Sequence, residues 1–175
     1  MLPDLGELGD WDERLRQVPT DGEAVADAIE LARAELGATT DLCEQCRLHG
    51  YLGNAARLLG REDEALRELR RSLELADRLG DERSRTVAAV RIGEAQRCFD
   101  HLDEAEATLR DALEGAPELR HFALQHLGKT LLDLGRTGEA LEALQSALEL
   151  RLAVGDESLV ASTRLALEHA RGDVD

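Results

Sequence analysis

Three glycines, Gly53, Gly93 and Gly128, each stand twelve residues ahead of an alanine, Ala65, Ala105 and Ala140. Each glycine lies in a small-to-apolar cluster: Tyr51-Leu52-Gly53-Asn54-Ala55, Arg91-Ile92-Gly93-Glu94-Ala95 and His126-Leu127-Gly128-Lys129-Thr130. Each alanine opens a second apolar pattern, with Leu66, Leu69 and Leu73, then Leu109, Ala112 and Leu113, then Leu141, Leu144, Ala147 and Leu148. Spacings of three, four and seven residues are the period of a helix. Between the two patterns comes a break such as Leu59-Gly60-Arg61-Glu62-Asp63 or Leu134-Gly135-Arg136-Thr137-Gly138. Glycine there fits a helix C-cap, and the Asp or Thr that follows fits the next N-terminus. The unit is therefore helix, short turn, helix, repeated at shifts of 40 and then 35 residues.

Composition points the same way. Leucine (33) and alanine (25) make up a third of the 175 residues, against nine Ile and Val together and four aromatics. Such a chain favours helices over a β-sandwich or an α/β sheet. With 43% apolar residues it is too hydrophobic for a disordered acidic tail. The 37 acidic and 21 basic side chains leave a net charge of −16, which argues against nucleic acid or an anionic membrane as main partner. No apolar run approaches the roughly 18 residues that span a bilayer. The start, Met1-Leu2-Pro3-Asp4, lacks the regions of a secretory leader, and three cysteines are too few for a disulfide framework. The expected location is cytoplasmic.

The repeated unit resembles the tetratricopeptide repeat (TPR), a 34-residue pair of helices A and B. Its small eighth position is matched by Gly53, Gly93 and Gly128, its alanine at the twentieth by Ala65, Ala105 and Ala140, and its small twenty-seventh by Ser72, Ala112 and Ala147. The repeat-ending proline is matched once, by Pro117. Small residues are needed where helices A and B cross closely. At the family's aromatic positions stand His49, Ala89 and Leu124, then Ala56, Gln96 and Leu131, so leucine packing replaces aromatic packing. The 40-residue repeat, with Leu73-Glu74-Leu75-Ala76-Asp77-Arg78-Leu79-Gly80-Asp81, looks like the long-helix subtype of kinesin light chains, spindle-orientation adaptors and bacterial signalling regulators.

The resemblance implies an all-α fold: a right-handed α-solenoid of about three TPR units, at about 46–85, 86–120 and 121–155, with capping helices at both ends. The caps are expected at 22–36, where Val25, Ala28, Ile29 and Ala32 share a face, and at 157–170. The second cap follows from Gly155-Asp156-Glu157-Ser158, which echoes Gly80-Asp81-Glu82-Arg83 at a shift of 75 and places Glu168 where a repeat would need a small residue. Residues 21–172 read as one solenoid domain. Residues 1–20, with Pro3, Pro19, two glycines and Trp11, read as a loosely ordered arm or one that orders on contact.

Catalytic chemistry finds no support. Gly128-Lys129-Thr130 resembles the end of a phosphate-binding loop, but Ala123 stands where that loop requires glycine, and mid-helix amides cannot cradle phosphate. Cys43-Glu44-Gln45-Cys46 lies near a helix start with His49 beyond it, a partial metal or redox set with no second pair. The histidines His49, His101, His121, His126 and His169 are scattered, and the pairs Asp63-Glu64 and Asp103-Glu104 complement helix N-termini. No enzyme activity, cofactor or metal is expected.

What the family resemblance implies instead is a concave surface lined by A helices. Carried over by position, it holds Arg47, Tyr51, Asn54 and Arg57, then Val87, Arg91, Glu94 and Arg97, then Phe122, Gln125, His126 and Lys129. At the positions of the chaperone-tail clamp stand Gly50, Asn54, Arg91, Phe122 and His126, of which only the asparagine matches outright. The three A segments carry a net +2 and the three B segments −8. Either the acidic B faces are simply solvated, or a cationic groove on an acidic body selects a partner segment with acidic and apolar residues. The expected role is a non-catalytic protein- or peptide-binding adaptor or scaffold. A self-associating scaffold is the alternative, and a thiol or zinc switch at Cys43 and Cys46 a third.

Overall fold

The structure is a computed structural model that describes residues 1–172. Eight helices follow one another from residue 22: α1 (Gly22–Ala38), α2 (Leu42–Leu58), α3 (Glu62–Leu79), α4 (Glu82–Cys98), α5 (Leu102–Ala112), α6 (Arg120–Asp133), α7 (Thr137–Val154) and α8 (Glu157–Arg171). Each packs on the next, and α2, α4, α6 and α8 also touch in series to form the inner layer of an α-solenoid. Helices α2, α4 and α6 are the expected A helices, and α3, α5 and α7 their B partners.

The glycines explain why the pairs close. A Cβ on Gly53 would stand 2.5 Å from Leu69 Cγ and 2.9 Å from the carbonyl oxygen of Ala65. Gly93 faces Leu109, and Gly128 faces Leu144, at 2.5 and 2.6 Å. The sixteen-residue spacing is the same each time, so one steric rule sets three helix crossings. Ala65, Ala105 and Ala140 are fully buried beside them. In the first repeat Ser72 adds a hydrogen bond from its hydroxyl to the Cys46 carbonyl at 2.8 Å.

The helix ends are only partly as expected. Gly80 and Gly155 adopt left-handed C-caps, and Asp81 and Asp156 accept from the amides of Ser84 and Leu159. The three B helices start without a side-chain cap: Arg61, His101 and Arg136 occupy the N-cap positions, and Asp63 and Thr137 lie inside the first turn. Helix α5 is short because Pro117 supplies no amide and drives Ala116 out of helical geometry. That truncation accounts for the 35-residue shift. The middle A-to-B turn puts Asp100 in the left-handed region, φ 64°, where its neighbours use Gly60 and Gly135.

Residues 1–20 lie on the inner layer. Leu2, Leu5 and Leu8 pack with Val25, Ile29, Leu48 and Leu52. Strands β1 (Gly9–Trp11) and β2 (Gln17–Pro19) then pair antiparallel, Asp10 opposite Val18. At the hairpin tip the Asp12 carboxylate accepts from the amides of Arg14 and Arg16. This turn aims Leu15 into the cluster of Leu144, Ala166 and Leu167. The all-α solenoid thus carries one small added hairpin among the described residues, formed where Pro19 and two glycines bar a helix and the leucines find apolar surface.

Candidate functional site

Side chains on the inner face of α2, α4 and α6 meet the hairpin from below, and Arg57, Arg97 and Lys129 are buried there. Arg97 is the hub. Its guanidinium is fully buried and holds the Glu94 carboxylate at 3.0 and 3.1 Å and Asp133 at 3.0 Å. Its remaining donors go to two successive hairpin carbonyls, Arg14 and Leu15, each at 3.0 Å. Lys129 Nζ donates to the Leu15 carbonyl at 3.4 Å and lies 4.1 Å from the centre of the Trp11 ring. Arg57 donates to the Gln17 side-chain oxygen at 3.2 Å, and the Tyr51 hydroxyl to the Pro3 carbonyl at 2.9 Å.

The hairpin answers with its own cations. Arg14 pairs with Asp100 and Asp133, and Arg16 with Asp100, at 2.6–3.2 Å. The aspartate that interrupts the glycine pattern of the turns therefore anchors the arm. Asp100, Asp133, Trp11, Leu15 and Gln17 were not marked as site residues by the sequence. Asp100 could have been, since an aspartate replaces the turn glycine of the other two repeats.

Burial and charge set the protonation states. Burial alone would raise the Glu94 carboxyl, but the Arg97 charge and the His126 hydrogen bond hold it well below its ordinary value. Burial pushes His126 down, against the pull of Glu94, so a neutral ring donates Nδ1–H to that carboxylate at 2.7 Å. Burial, together with the charges of Arg97 and Arg151, brings Lys129 down to about 8 despite Glu94. Arg91 is lowered by burial and by the neighbouring Arg57 charge.

The twelve residues expected in the groove are distributed over three cavities along the inner face, except Arg97. Asn54, Arg57, Val87, Arg91, Glu94, Phe122 and His126 line one cavity of about 440 Å³ with Trp11 and Gln17 of the hairpin. Gln125 and Lys129 line a second of about 700 Å³, toward α8. Arg47 and Tyr51 line a third beside Pro3 and Asp4, where Arg47 is paired with Glu44 and Glu35. Arg97 lies beneath the hairpin. Gln125 is turned toward α8, its amide 3.4 Å from the Ser162 carbonyl. The cysteine pair is separate from this face: Cys43 is exposed and Cys46 is buried against α3, its thiol 3.3 Å from the Ser72 carbonyl. Among the described residues no cluster of three His, Cys, Asp or Glu is placed to hold a metal, and no helix is long and apolar enough to cross a membrane.

Two tetratricopeptide repeat family models match the sequence, over residues 44–118 and 123–153. Among solved structures, a Rap protein complexed with competence and sporulation factor superposes with a TM-score of 0.76 at 17% identity, covering 84% of this chain and 42% of its own. The signal-transduction ATPase with a tetratricopeptide repeat sensor from Pyrococcus horikoshii gives 0.69 at 21% identity, covering 86% and 24%. MamA gives 0.56 at 19% identity, covering 86% and 88%. The chain thus spans less than half the length of the first two. At these identities the likeness concerns the fold. No curated protein matches the chain by sequence.

Proposed function

Because the chain belongs to the tetratricopeptide repeat family, we propose that it works as a non-catalytic scaffold whose concave face binds a segment of another protein. One observation carries this reading. The inner face already grips a non-helical segment of polypeptide, its own residues 1–20, through Arg57, Tyr51, Arg97 and Lys129. Four of those five hydrogen bonds go to backbone carbonyls, which every peptide offers, and the fifth to a side-chain amide. A face that holds one segment in this way has the chemistry to hold another beside the hairpin. A Rap protein of similar fold is known in complex with competence and sporulation factor, which supports a binding role.

The finer part of the proposal concerns the partner's composition. The cavity beside the hairpin presents Arg57 and Arg91 next to Val87, Val90, Leu119 and Phe122. Arg57 and Arg91 have no carboxylate within ion-pair distance among the described residues, although the chain is strongly acidic. That arrangement suits a segment with acidic and apolar residues. The test is a panel of labelled twelve-residue peptides in which Leu and Phe alternate with Asp and Glu, with Lys and Arg, or with Asn and Gln. Fluorescence anisotropy should rank the acidic set at least about tenfold tighter, with affinity falling as salt rises. No binding by any set, or a preference for the basic set, would overturn the reading.

A further inference from the structure

The cavity of about 440 Å³ has a built form that a bare solenoid groove lacks. Its floor is helical, Asn54 and Arg57 from α2 and Val87, Val90 and Arg91 from α4, and its cover is the hairpin, through Trp11 and Gln17. Volumes of this size are typical of sites for small molecules, which need one or two polar anchors in an apolar surround. Both are present. Arg91 is half-buried, lines the cavity, and makes no hydrogen bond or ion pair with any described residue. Its guanidinium rests against α2 because Gly50 has no side chain: a Cβ there would stand 2.7 Å from Arg91 Nη1. Arg57 is buried and hydrogen-bonded to Asn54 and Gln17 but faces no carboxylate. The other charges at the cavity are spent, Arg83 on Glu118 and Glu94 on Arg97 and His126. Two neighbouring cations without a counter-ion, Arg57 buried and Arg91 half-buried, repel each other in the empty protein and are relieved by an anion. A planar carboxylate matches the guanidinium fork.

We propose that this hairpin-covered cavity binds a carboxylate carried next to an apolar or aromatic group, with Arg91 and Arg57 holding the carboxylate and Val90, Leu119, Phe122 and Trp11 enclosing the apolar part. The inference rests on the same two arginines as the scaffold reading and names the class of ligand that they hold. A free small acid and an acidic residue of a partner segment share this chemistry, and the probes separate them.

Trp11 is the only tryptophan in the chain and lines the cavity, so its emission reports occupancy. The full chain is titrated with N-acetylphenylalanine, with the dipeptide acetyl-Asp-Phe-amide, and with the uncharged N-acetylphenylalaninamide. Both carboxylates should change Trp11 emission saturably, and the neutral amide should bind at least about tenfold more weakly. Response to N-acetylphenylalanine alone assigns the seat to free acids or chain ends, and response to the dipeptide alone assigns it to acidic side chains. Arg91→Gln should abolish the preference for carboxylate while leaving the melting temperature unchanged or raised, which a merely structural arginine would not allow. Arg57→Gln serves as the second variant and should also lose the preference. Equal response to acid and amide, no saturable response, or an undiminished preference in both variants would overturn the proposal. If the probes bind and no peptide of the panel does, the seat stands and the scaffold reading fails. If the peptides bind and the probes do not discriminate, the reverse holds.

Discussion

Arg97→Ala is expected to be the most damaging single substitution in the chain, lowering folding stability by about 3–5 kcal/mol. The wild-type guanidinium is fully buried, and its loss strands the buried Glu94 carboxylate with the His126 hydrogen bond and a long one from the Cys98 thiol. It also removes the two donors that hold the hairpin carbonyls. Urea unfolding followed by circular dichroism gives the stability change. Trp11 emission reports the second effect, a shift to the red as the hairpin leaves the inner face. Combining Arg97→Met with Glu94→Gln should recover most of the loss, because the stranded charge is gone. The pH dependence carries a definite sign. In the wild type the Glu94 carboxyl is held well below its ordinary value, so its contribution is fully present above about pH 4.3. It is lost only as pH falls through the depressed folded value. Without Arg97, burial raises that carboxyl instead, so the deficit of the variant shrinks on acidification. A loss under about 1 kcal/mol, or a deficit independent of pH, would contradict the hub assigned to Arg97.

The second large effect is a gain. Lys129 is the only lysine, and burial holds its ammonium at about 8 in the folded chain, against about 10.4 when unfolded. At pH 7 that difference costs about 3 kcal/mol. The Trp11 ring and the Leu15 carbonyl return part of it. Lys129→Met, close in shape, should therefore stabilise the protein at pH 7 by about 1–2 kcal/mol. Because the folded value lies below the unfolded one, the unfolded chain binds the extra proton between about pH 8 and 10.4. Wild-type stability must rise with pH across that window and the variant's must not, so the gap closes by about pH 10.5. Tyr51 and Cys98 titrate in both proteins and cancel in the difference. A variant less stable than the wild type at pH 7 would show that the ammonium is compensated.

Much of the fold was legible in the sequence because it rests on repetition. Gly53, Gly93 and Gly128 each face a leucine sixteen residues on, and a spacing that recurs three times needs no tertiary knowledge to be seen. The groove residues were legible for the same reason, since each A helix shows the same face inward. The hairpin was not legible, because nothing in residues 1–20 repeats. Leu5 and Leu15 are single apolar residues whose pockets are made by helices far along the chain, α1 and α2 for one and α7 and α8 for the other. The anchor at Asp100 combines both cases: the pattern marks the position as a turn, but only the fold brings Arg14 and Arg16 to it. The partners of Arg97 were hidden likewise, since α6 supplies Asp133 and the arm supplies two carbonyls. Charge counting over the A helices found a slight positive excess. It could not show that Arg97 and Lys129 are turned onto the arm while Arg91 is left without a partner.

The central claim is that the concave face binds its partner through the two arginines that lack a carboxylate. The most direct test takes the tightest acidic peptide of the panel and measures its affinity for the Arg57→Glu, Arg91→Glu double variant by fluorescence anisotropy, with folding checked by circular dichroism. A partly desolvated pair of contacts predicts a loss of about 2–5 kcal/mol, at least about thirtyfold in Kd. A folded double variant that binds the peptide as tightly as the wild type would contradict it.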